Sequence, residues 1–306
     1  MHKRPFGAQS CADDSIVTSS TNKRQVAYIE LTLPKARAQN AKSPIVPCVL
    51  AVGGLDPGGG AGILADARAV KIAGAYTCAC VSLLTVQSTE GLVRSTPVSS
   101  SDLATSMREV LTHQSIDVIK VGALGTSEQV RVVVSALRAH PFVPSVVDTP
   151  RRPSRGNATL IDAKGWDAIV RDLLPLSTIL TVNSDEAGWV LDRKIRDVGE
   201  AREAATMLAA LGPAVVVVKG GHLQGNATDV VAFGASVVEL NDRRANVSLH
   251  GTGCTFASLI AGRIATAHIS KTDTRGQVAA IRWAKKTIRK LIRAPLNVGG
   301  RVRVLG

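Results

Sequence analysis

The sequence has few aromatic residues, no paired cysteine motif and no long apolar run, and each absence excludes a class of protein. Aromatic residues make up only 3% of the 306 residues, which argues against a surface that stacks the bases of single-stranded nucleic acid. No apolar run approaches the ~20 residues of a membrane-spanning helix, so we expect no membrane partner. The five cysteines form no C-x-x-C pair, so we expect a reducing, cytoplasmic setting rather than a zinc ribbon.

Acidic residues are scarce towards the C-terminus. The chain carries 37 Lys and Arg against 24 Asp and Glu, and its net charge is +13. Residues 271–306 contain ten of the basic residues and a single acid, Asp273. A basic excess favours anionic partners, but no DNA-binding motif accompanies it. We therefore interpret this segment as a solvated helix face and expect no nucleic-acid partner.

The character of the sequence changes at Pro44. Residues 1–43 are polar and are interpreted as a poorly ordered N-terminal extension, whereas residues 44–306 are predicted to form a single domain. Continuous apolar segments predict strands at 45–52, 78–86, 118–122, 143–148, 178–182, 214–219 and 230–233. Segments of 3.6-residue periodicity predict helices at 63–73, 102–113, 127–139, 162–174, 198–211 and 275–293. This alternation predicts a mainly parallel sheet with helices on both faces.

Two glycine-rich loops precede predicted helices. The first, GGLDPGGGAG at 53–62, lacks the G-K-[ST] of a P-loop, and a purely structural turn is its alternative interpretation. The second, HGTGCT at 250–255, leads into a helix of small residues, and its free amides favour an anion. Cys254 lies in the first turn of that helix, where we expect a lowered thiol pKa and an available base. The alternative for Cys254 is a small buried residue in a tight turn.

Two further loops carry charged residues. Lys219 ends the VVVVK strand and is costly to bury unless an acid or an anion meets it. Asn183 and Glu186 lie three residues apart at a strand-to-helix transition and offer the oxygen ligands that Mg²⁺ prefers. The alternative for this second loop is a helix N-cap at Asn183 or Ser184 followed by acids in the first helical turn. His222, which follows Lys219 in the motif VKGGH, is either part of the site or a loop histidine without a role. Together with the glycine loops, these residues predict phosphoryl transfer, which depends on positioning and charge stabilisation.

Six motifs occur in an order and spacing that carry a family resemblance: GGLDPGGGAGILAD, LLTVQSTEG, KVGALGT, NSDEA, VKGGH and HGTGCTFAS. From Val49 to Arg293 the chain resembles the hydroxymethylpyrimidine/phosphomethylpyrimidine kinases of the ribokinase-like superfamily. The resemblance implies a three-layer α/β/α sandwich around a mostly parallel sheet, with ATP and Mg²⁺ as cofactors. It also implies phosphorylation of 4-amino-5-hydroxymethyl-2-methylpyrimidine and its monophosphate in thiamine biosynthesis. A homodimer is left open.

The resemblance also implies a role for each of twelve residues. Cys254 occupies the position of the catalytic residue. By position, the resemblance implies substrate binding by Gln87, Asp56 and Gly60, an anion hole formed by Gly251, Thr252 and Gly253, ATP binding by Lys219, Asp229 and Asn183, and metal binding by Glu186 and Asp148.

The acceptor side of the sequence departs from the family pattern. Leu55 and Gly58 replace a small hydroxyl residue and a serine on either side of the D-P pair, and Ala123 replaces a usual methionine. The segment that carries a lysine in the family reads DTPRRPSRG here, at 148–156. Its arginines either point to solvent or bind phosphate, and Arg155 is the candidate substitute for the lysine.

Three functions therefore remain open. The first is the thiamine-pyrimidine kinase, with an altered acceptor or weakened activity among its variants. The second is a related vitamin kinase of the pyridoxal type. The third is a non-catalytic ligand sensor built on the same fold.

Overall fold

The computed structural model describes residues 45–148, 150–153, 155, 158–245, 247 and 249–306. The predicted N-terminal extension, residues 1–43, lies outside the described residues. The strands are β1 (Cys48–Leu55), β2 (Tyr76–Ser88), β3 (Gly91–Pro97), β4 (Val118–Val121), β5 (Ser145–Val147), β6 (Ile179–Asn183), β7 (Val215–Lys219), β8 (Asp229–Phe233), β9 (Ser236–Leu240), β10 (Leu249–His250) and β11 (Arg303–Val304).

The helices are α1 (Gly62–Ile72), α2 (Ser100–His113), α3 (Ser127–Ala139), α4 (Ala163–Ala168), α5 (Ser184–Leu191), α6 (Val198–Ala209), α7 (Thr252–Thr266) and α8 (Thr274–Arg293). Helix α4 continues into a π-helical segment, Ile169–Leu173, and a short 3₁₀ turn. No helix in the part of the chain that the structure describes is long and apolar enough to cross a membrane.

Within the described residues, β1 to β9 form one sheet in the order β3-β2-β1-β4-β5-β6-β7-β8-β9. The central strands pair in parallel, and β3, β8 and β9 are antiparallel to their neighbours. The carboxyl ends of β1, β4, β5, β6 and β7 therefore lie at one edge. The loops that carry the predicted site residues follow these ends, as expected for a parallel sheet.

Two hydrophobic cores cover the two faces of the sheet. Leu50 and Val52 of β1 belong to the core that includes residues of α2, α3 and α6. Val49 belongs to the opposite core, which includes residues of α1, α7 and α8. Because neighbouring residues of one strand enter different cores, β1 is buried on both sides and its sequence is continuously apolar. The predicted three-layer α/β/α sandwich is confirmed.

The first strand is displaced from its predicted position at 45–52. β1 begins at Cys48 and runs through Gly53 and Gly54 to Leu55. Ile45 is 80% exposed, so the apolar character of the first residues does not reflect burial. The strand continues into the glycines because Gly53 still pairs with β2, and the register shifts only between Gly53 and Gly54. This extension brings the glycine-rich loop directly to the edge of the sheet.

Candidate active site

A cavity of about 800 Å³, lined by described residues, lies at the carboxyl ends of the parallel strands. Eleven of the twelve predicted site residues line it, and Gly60 is the exception. The cavity walls come from the loop after β1, the ends of β2, β4, β6 and β7, the first turn of α7, and α8. Residues far apart in the sequence are therefore brought to one place by the sheet topology.

Asp56 organises the glycine-rich loop. Its buried carboxylate accepts hydrogen bonds from the backbone amides of Gly58 and Ala61, each 2.9 Å long, and lies 2.9 Å from His250 Nε2. Burial alone would raise the pKa of Asp56, but His250 and the two amides outweigh burial and hold that pKa below its usual range. Asp56 lines the cavity, and these contacts hold the shape of the glycine-rich loop. Its predicted role in substrate binding stays a prediction.

His250 joins this loop to the predicted acceptor wall. The Gln87 side-chain amide lies 2.9 Å from His250 Nε2, the same ring nitrogen that meets Asp56. One ring nitrogen cannot satisfy both neighbours, so the Gln87 amide keeps hydrogen-bonding capacity for a ligand. A Cβ at Gly60 would overlap the His250 ring, which explains why Gly60 packs behind the cavity wall instead of lining it. Sequence reasoning assigned His250 no role, although the residue opens the HGTGCT motif.

The loop 251–254 presents backbone amides to the cavity. Gly251 has φ +80°, and a Cβ there would overlap the Gly60 backbone, so only glycine fits. It is also the N-cap of α7 and has no side chain with which to bond the first amides of that helix. These amides and the helix dipole suit an anion, and residues 251–254 are called the anion loop below. The anion hole of Gly251, Thr252 and Gly253 stays a prediction.

The Cys254 thiol has a raised pKa. Burial raises this pKa to about 11, and the charge of Lys120 opposes burial without overcoming it. The expectation of a thiol pKa lowered by the helix N-terminus is therefore wrong for this structure. The reason is that loss of water penalises the thiolate more than the helix terminus favours it. The predicted position in the first turn of α7 is correct, and the thiol is protonated at neutral pH.

The mostly buried Lys219 ammonium lies next to two carboxylates, as expected for a charge that has lost most of its water. Its Nζ lies 2.7 Å from Asp148 Oδ1 and 4.0 Å from Glu186 Oε2. Burial alone would lower the pKa of Lys219, but the two carboxylates raise that pKa, so the ammonium is charged. A Cβ built on Gly253 would be 3.3 Å from Lys219 Nζ, which places this cation beside the anion loop.

Asn183 and Glu186 form a reciprocal capping box at the start of α5. Asn183 Oδ1 accepts from the Glu186 amide, and Glu186 Oε2 accepts from the Asn183 amide, both over 2.8 Å. The N-cap alternative for Asn183 is therefore what the structure shows, although the residue also lines the cavity. Burial raises the pKa of Glu186, and the nearby Asp148 charge raises it further.

Two carboxylate oxygens suit a magnesium ion. Among the described residues, Glu186 Oε1 and Asp148 Oδ2 have no hydrogen-bond partner. No cluster of three or more His, Cys, Asp or Glu exists in the same set of residues. Mg²⁺ in phosphoryl-transfer sites takes one or two carboxylates and completes its shell with water and substrate phosphates. The pair therefore fits Mg²⁺ and does not form a complete protein cage.

Asp229 is held by two neighbours on the opposite wall. It accepts from the Gly220 amide over 2.8 Å and from Lys285 Nζ over 2.6 Å. Lys285 belongs to the basic segment that the sequence analysis interpreted as a solvated helix face, and for this residue that interpretation is wrong. Arg244 also lines the cavity and donates to several carbonyls of the loop after β7, including that of Gly225 at 3.0 Å.

A buried ion pair forms the cavity floor. Lys120 Nζ lies 2.9 Å from both oxygens of Asp66, and Ser258 Oγ donates to Asp66 over 2.8 Å. Burial alone would lower the pKa of Lys120, but Asp66 raises it, so the cation persists. Sequence reasoning assigned neither residue a role. The lysine inside the apolar strand VIKV was the available signal, because a charge there needs a partner.

The segment 150–153 is attached to two tryptophans. The Arg151 guanidinium lies 5.5 Å from the ring of Trp166 and 5.4 Å from that of Trp189. The rings are 6.4 Å apart and nearly perpendicular. Arg152 lies 5.5 Å from Trp189 and lines the cavity. Arg155 does not line it, so its predicted role as the substitute for the lysine is not favoured by its position.

A family comparison agrees with this geometry. The model of the family described as phosphomethylpyrimidine kinase matches residues 56–305. The chain belongs to this family. It is 32% identical to the hydroxymethylpyrimidine/phosphomethylpyrimidine kinase of Streptomyces coelicolor, over 83% of this chain and 91% of that protein. It is 36% identical to the kinase of the same name from Mycobacterium tuberculosis, over 72% and 81% of the two chains.

Longer relatives and solved structures extend the comparison. The chain is 36% identical to a probable thiamine biosynthetic bifunctional enzyme of Oryza sativa over 75% of its length, but spans only 42% of that enzyme. An ADP complex of Bacillus subtilis pyridoxal kinase has a TM-score of 0.75 at 22% identity, covering 85% of this chain and 96% of that one. A phosphomethylpyrimidine kinase of Clostridium difficile has a TM-score of 0.66 at 24% identity, covering 80% and 100%.

These comparisons confirm the predicted family, and the structural matches confirm the fold. The enzyme class, a phosphotransferase, is confirmed by the family and by the curated kinases that the chain resembles. The names of those relatives agree with the predicted function in thiamine-pyrimidine phosphorylation.

Proposed function

We propose that this chain transfers the terminal phosphoryl group of ATP to the hydroxymethyl group of 4-amino-5-hydroxymethyl-2-methylpyrimidine, and then to the resulting monophosphate. The observation that carries the proposal is the cavity in which Gln87, the anion loop 251–254 and Lys219 meet. An acceptor wall, an anion site and a buried cation are the parts that phosphoryl transfer requires. Membership of a kinase family and a fold shared with an ADP-bound kinase support ATP as the donor.

Gln87 gives the acceptor wall its specificity. A side-chain amide both donates and accepts, so it can pair with an exocyclic amino group and an adjacent ring nitrogen. Asp56 and His250 hold the wall from behind, because His250 contacts both Asp56 and Gln87. Ala123, which lines the cavity where the family usually has methionine, leaves more room beside the pyrimidine.

The anion loop and Lys219 stabilise the group that moves. The amides at the start of α7 are directed where negative charge gathers on the transferring phosphoryl oxygens, and Lys219 lies against Gly253 of that loop. When bound, Mg²⁺ would be held by the free oxygens of Glu186 and Asp148 and would neutralise charge on the nucleotide phosphates.

Cys254 contacts the acceptor hydroxyl in this proposal. Because its pKa is about 11, the thiol is neutral at pH 7 and its first task is to orient the hydroxyl. Only the small deprotonated fraction can take the hydroxyl proton, and the Lys120 charge favours that form. A loose phosphoryl-transfer transition state tolerates this arrangement, because it depends more on positioning than on a strong base.

The deciding experiment is an ATP-consumption assay with three acceptors, supplied separately: the aminopyrimidine alcohol, its monophosphate and pyridoxal. Turnover of the two pyrimidines is the expected result. Turnover of pyridoxal alone would replace the proposal with the pyridoxal-type kinase. Aminopyrimidine binding without any turnover would instead establish the ligand sensor.

A further inference from the structure

Two adjacent arginines of the segment 150–153 have different surroundings. The Arg151 guanidinium lies against both Trp166 and Trp189, and it does not line the cavity. Arg152 lies against Trp189 alone, is exposed, and forms part of the cavity wall together with Pro150 and Pro153. Arg151 therefore attaches the segment to α4 and α5, and this attachment holds Arg152 at the cavity.

No acid neutralises Arg152 within the described part of the chain. It forms no ion pair and no hydrogen bond there. Among the described residues, the nearby acids contact other groups and none contacts Arg152: Asp148 Oδ1 pairs with Lys219, Glu186 Oε2 caps α5, and Asp185 lies 3.0 Å from His222. A guanidinium stacked on a ring keeps its in-plane N–H donors available. The open donors of Arg152 therefore suit an anionic ligand that enters the cavity.

The neighbours of Arg152 in the chain and in space adjoin the candidate metal and anion sites. Trp189, its stacking partner, lies on α5, three residues after the Glu186 carboxylate that fits the metal. Pro150 follows Asp148 by two residues, and the Asp148–Lys219 pair lies beside the anion loop. The acceptor and nucleotide phosphates must both approach this loop for transfer to occur. The guanidinium of Arg152 lines the same cavity as this loop.

We propose that Arg152 binds phosphate oxygens where the two substrates meet. The inference rests on the proposed function, because it needs substrates that carry phosphate. Two phosphate groups offer the same oxygen acceptors: the terminal phosphate of the nucleotide and the phosphate of the once-phosphorylated acceptor. The planar fork of arginine matches either through paired hydrogen bonds.

The test compares Arg152→Met with the parent protein and with a control. Methionine keeps an apolar side chain against Trp189 and removes the charge. The control, Arg171→Met, removes an arginine whose guanidinium is paired with Asp172 on an exposed surface. Calorimetric titrations with the β,γ-methylene analogue of ATP plus Mg²⁺, and separately with the pyrimidine monophosphate, measure the two affinities over a salt series.

We expect Arg152→Met to lower the affinity for one of the two probes by roughly ten- to a hundredfold at low salt. This is the scale of a charge-assisted contact. The loss should shrink as salt rises, because screening already weakens the contact in the parent. Loss of nucleotide affinity alone identifies the terminal phosphate as the ligand, and loss of monophosphate affinity alone identifies the acceptor. Arg152→Lys should recover part of the loss, since it restores the charge without the fork.

Equal affinities of the parent, Arg152→Met and Arg171→Met for both probes would overturn the inference and leave the proposed function intact. An equal loss of affinity in Arg171→Met would also overturn the inference, because the loss would then follow from the lower net charge and not from a contact of Arg152. A parent that binds neither probe would overturn the proposed function and this inference together. A thermal melt of each variant without ligand separates loss of binding from loss of folding.

Discussion

At Cys254, burial and helix position push the thiol pKa in opposite directions, and burial has the larger effect. The helix N-terminus and Lys120 favour the thiolate, yet the pKa rises to about 11. The thiolate fraction therefore increases about tenfold for each pH unit between neutrality and that value. A reaction that uses the thiolate must accelerate over the same range.

We expect Cys254→Ala to lower kcat by about a hundredfold or more, the usual scale for loss of a proton-transfer group. The affinity for ATP should change less, because the anion loop is built from backbone amides. In the parent, kcat should rise with pH towards 11, and the alanine variant should lose this rise. Steady-state kinetics from pH 7 to about 10 measure both effects. An alanine variant with the kcat of the parent would contradict the assignment.

Gln87 should decide which acceptor binds. Gln87→Leu leaves polar acceptor atoms without a partner in the cavity, at a cost of about 1–3 kcal/mol in acceptor binding. The affinity for ATP should not change. Gln114→Leu is a matched control, because Gln114 contacts Cys78 and does not line the cavity. Calorimetry with the aminopyrimidine alcohol tests the prediction, and equal acceptor affinities in the parent and Gln87→Leu would rule it out.

At the scale of elements, the Lys120–Asp66 pair joins β4, α1 and α7 beneath the cavity. Both side chains are almost completely buried, and Ser258 of α7 binds the same carboxylate. Removing one partner of a buried pair leaves an uncompensated charge, which typically costs about 3–5 kcal/mol. The pair therefore makes the position of the α7 N-terminus dependent on a contact between three elements.

Lys120→Met should lower the free energy of unfolding by about 3–5 kcal/mol, measured by urea denaturation. The double variant Lys120→Met/Asp66→Asn removes both charges and should recover part of that loss. A Lys120→Met protein as stable as the parent would show that Asp66 does not need its counter-ion. A double variant less stable than Lys120→Met would show that Asp66 stabilises the fold without Lys120, through a contact such as the one with Ser258.

The elements differ in how far sequence reasoning could find them. β7 is a continuous apolar run and was predicted within one residue, whereas β3 (GLVRSTP) is polar and half exposed and was not predicted. The sequence motifs located the turn that precedes α7 and offered Asn183 as an N-cap, because both features depend on neighbouring residues. His250, Lys285 and Lys120 were not assigned because their partners, Asp56, Asp229 and Asp66, are distant in the chain. The thiol pKa of Cys254 was predicted in the wrong direction, because burial is a property of the folded molecule.

At the scale of the whole molecule, the cavity and both cores arise from the same part of the chain. The described lining residues run from Gly53 to Ile292, and the buried core residues run from Cys48 to Leu305. β1 lies between β2 and β4 and contributes to both cores. Among the described residues, those that form the cores and the cavity begin close to Cys48.

We therefore expect a chain that begins at Pro44 to fold and to keep the activity of the full chain. Its melting temperature should stay within about 4 °C, the shift that 1 kcal/mol produces in a domain of this size or smaller. A chain that begins at Leu55 is the matched control. It lacks most of β1, a central strand that enters both cores, so it should not fold. Circular dichroism melts and the ATP-consumption assay test the three chains. If the chain from Pro44 folds but loses turnover, residues 1–43 supply a part of the site, and the single predicted domain is incomplete without them.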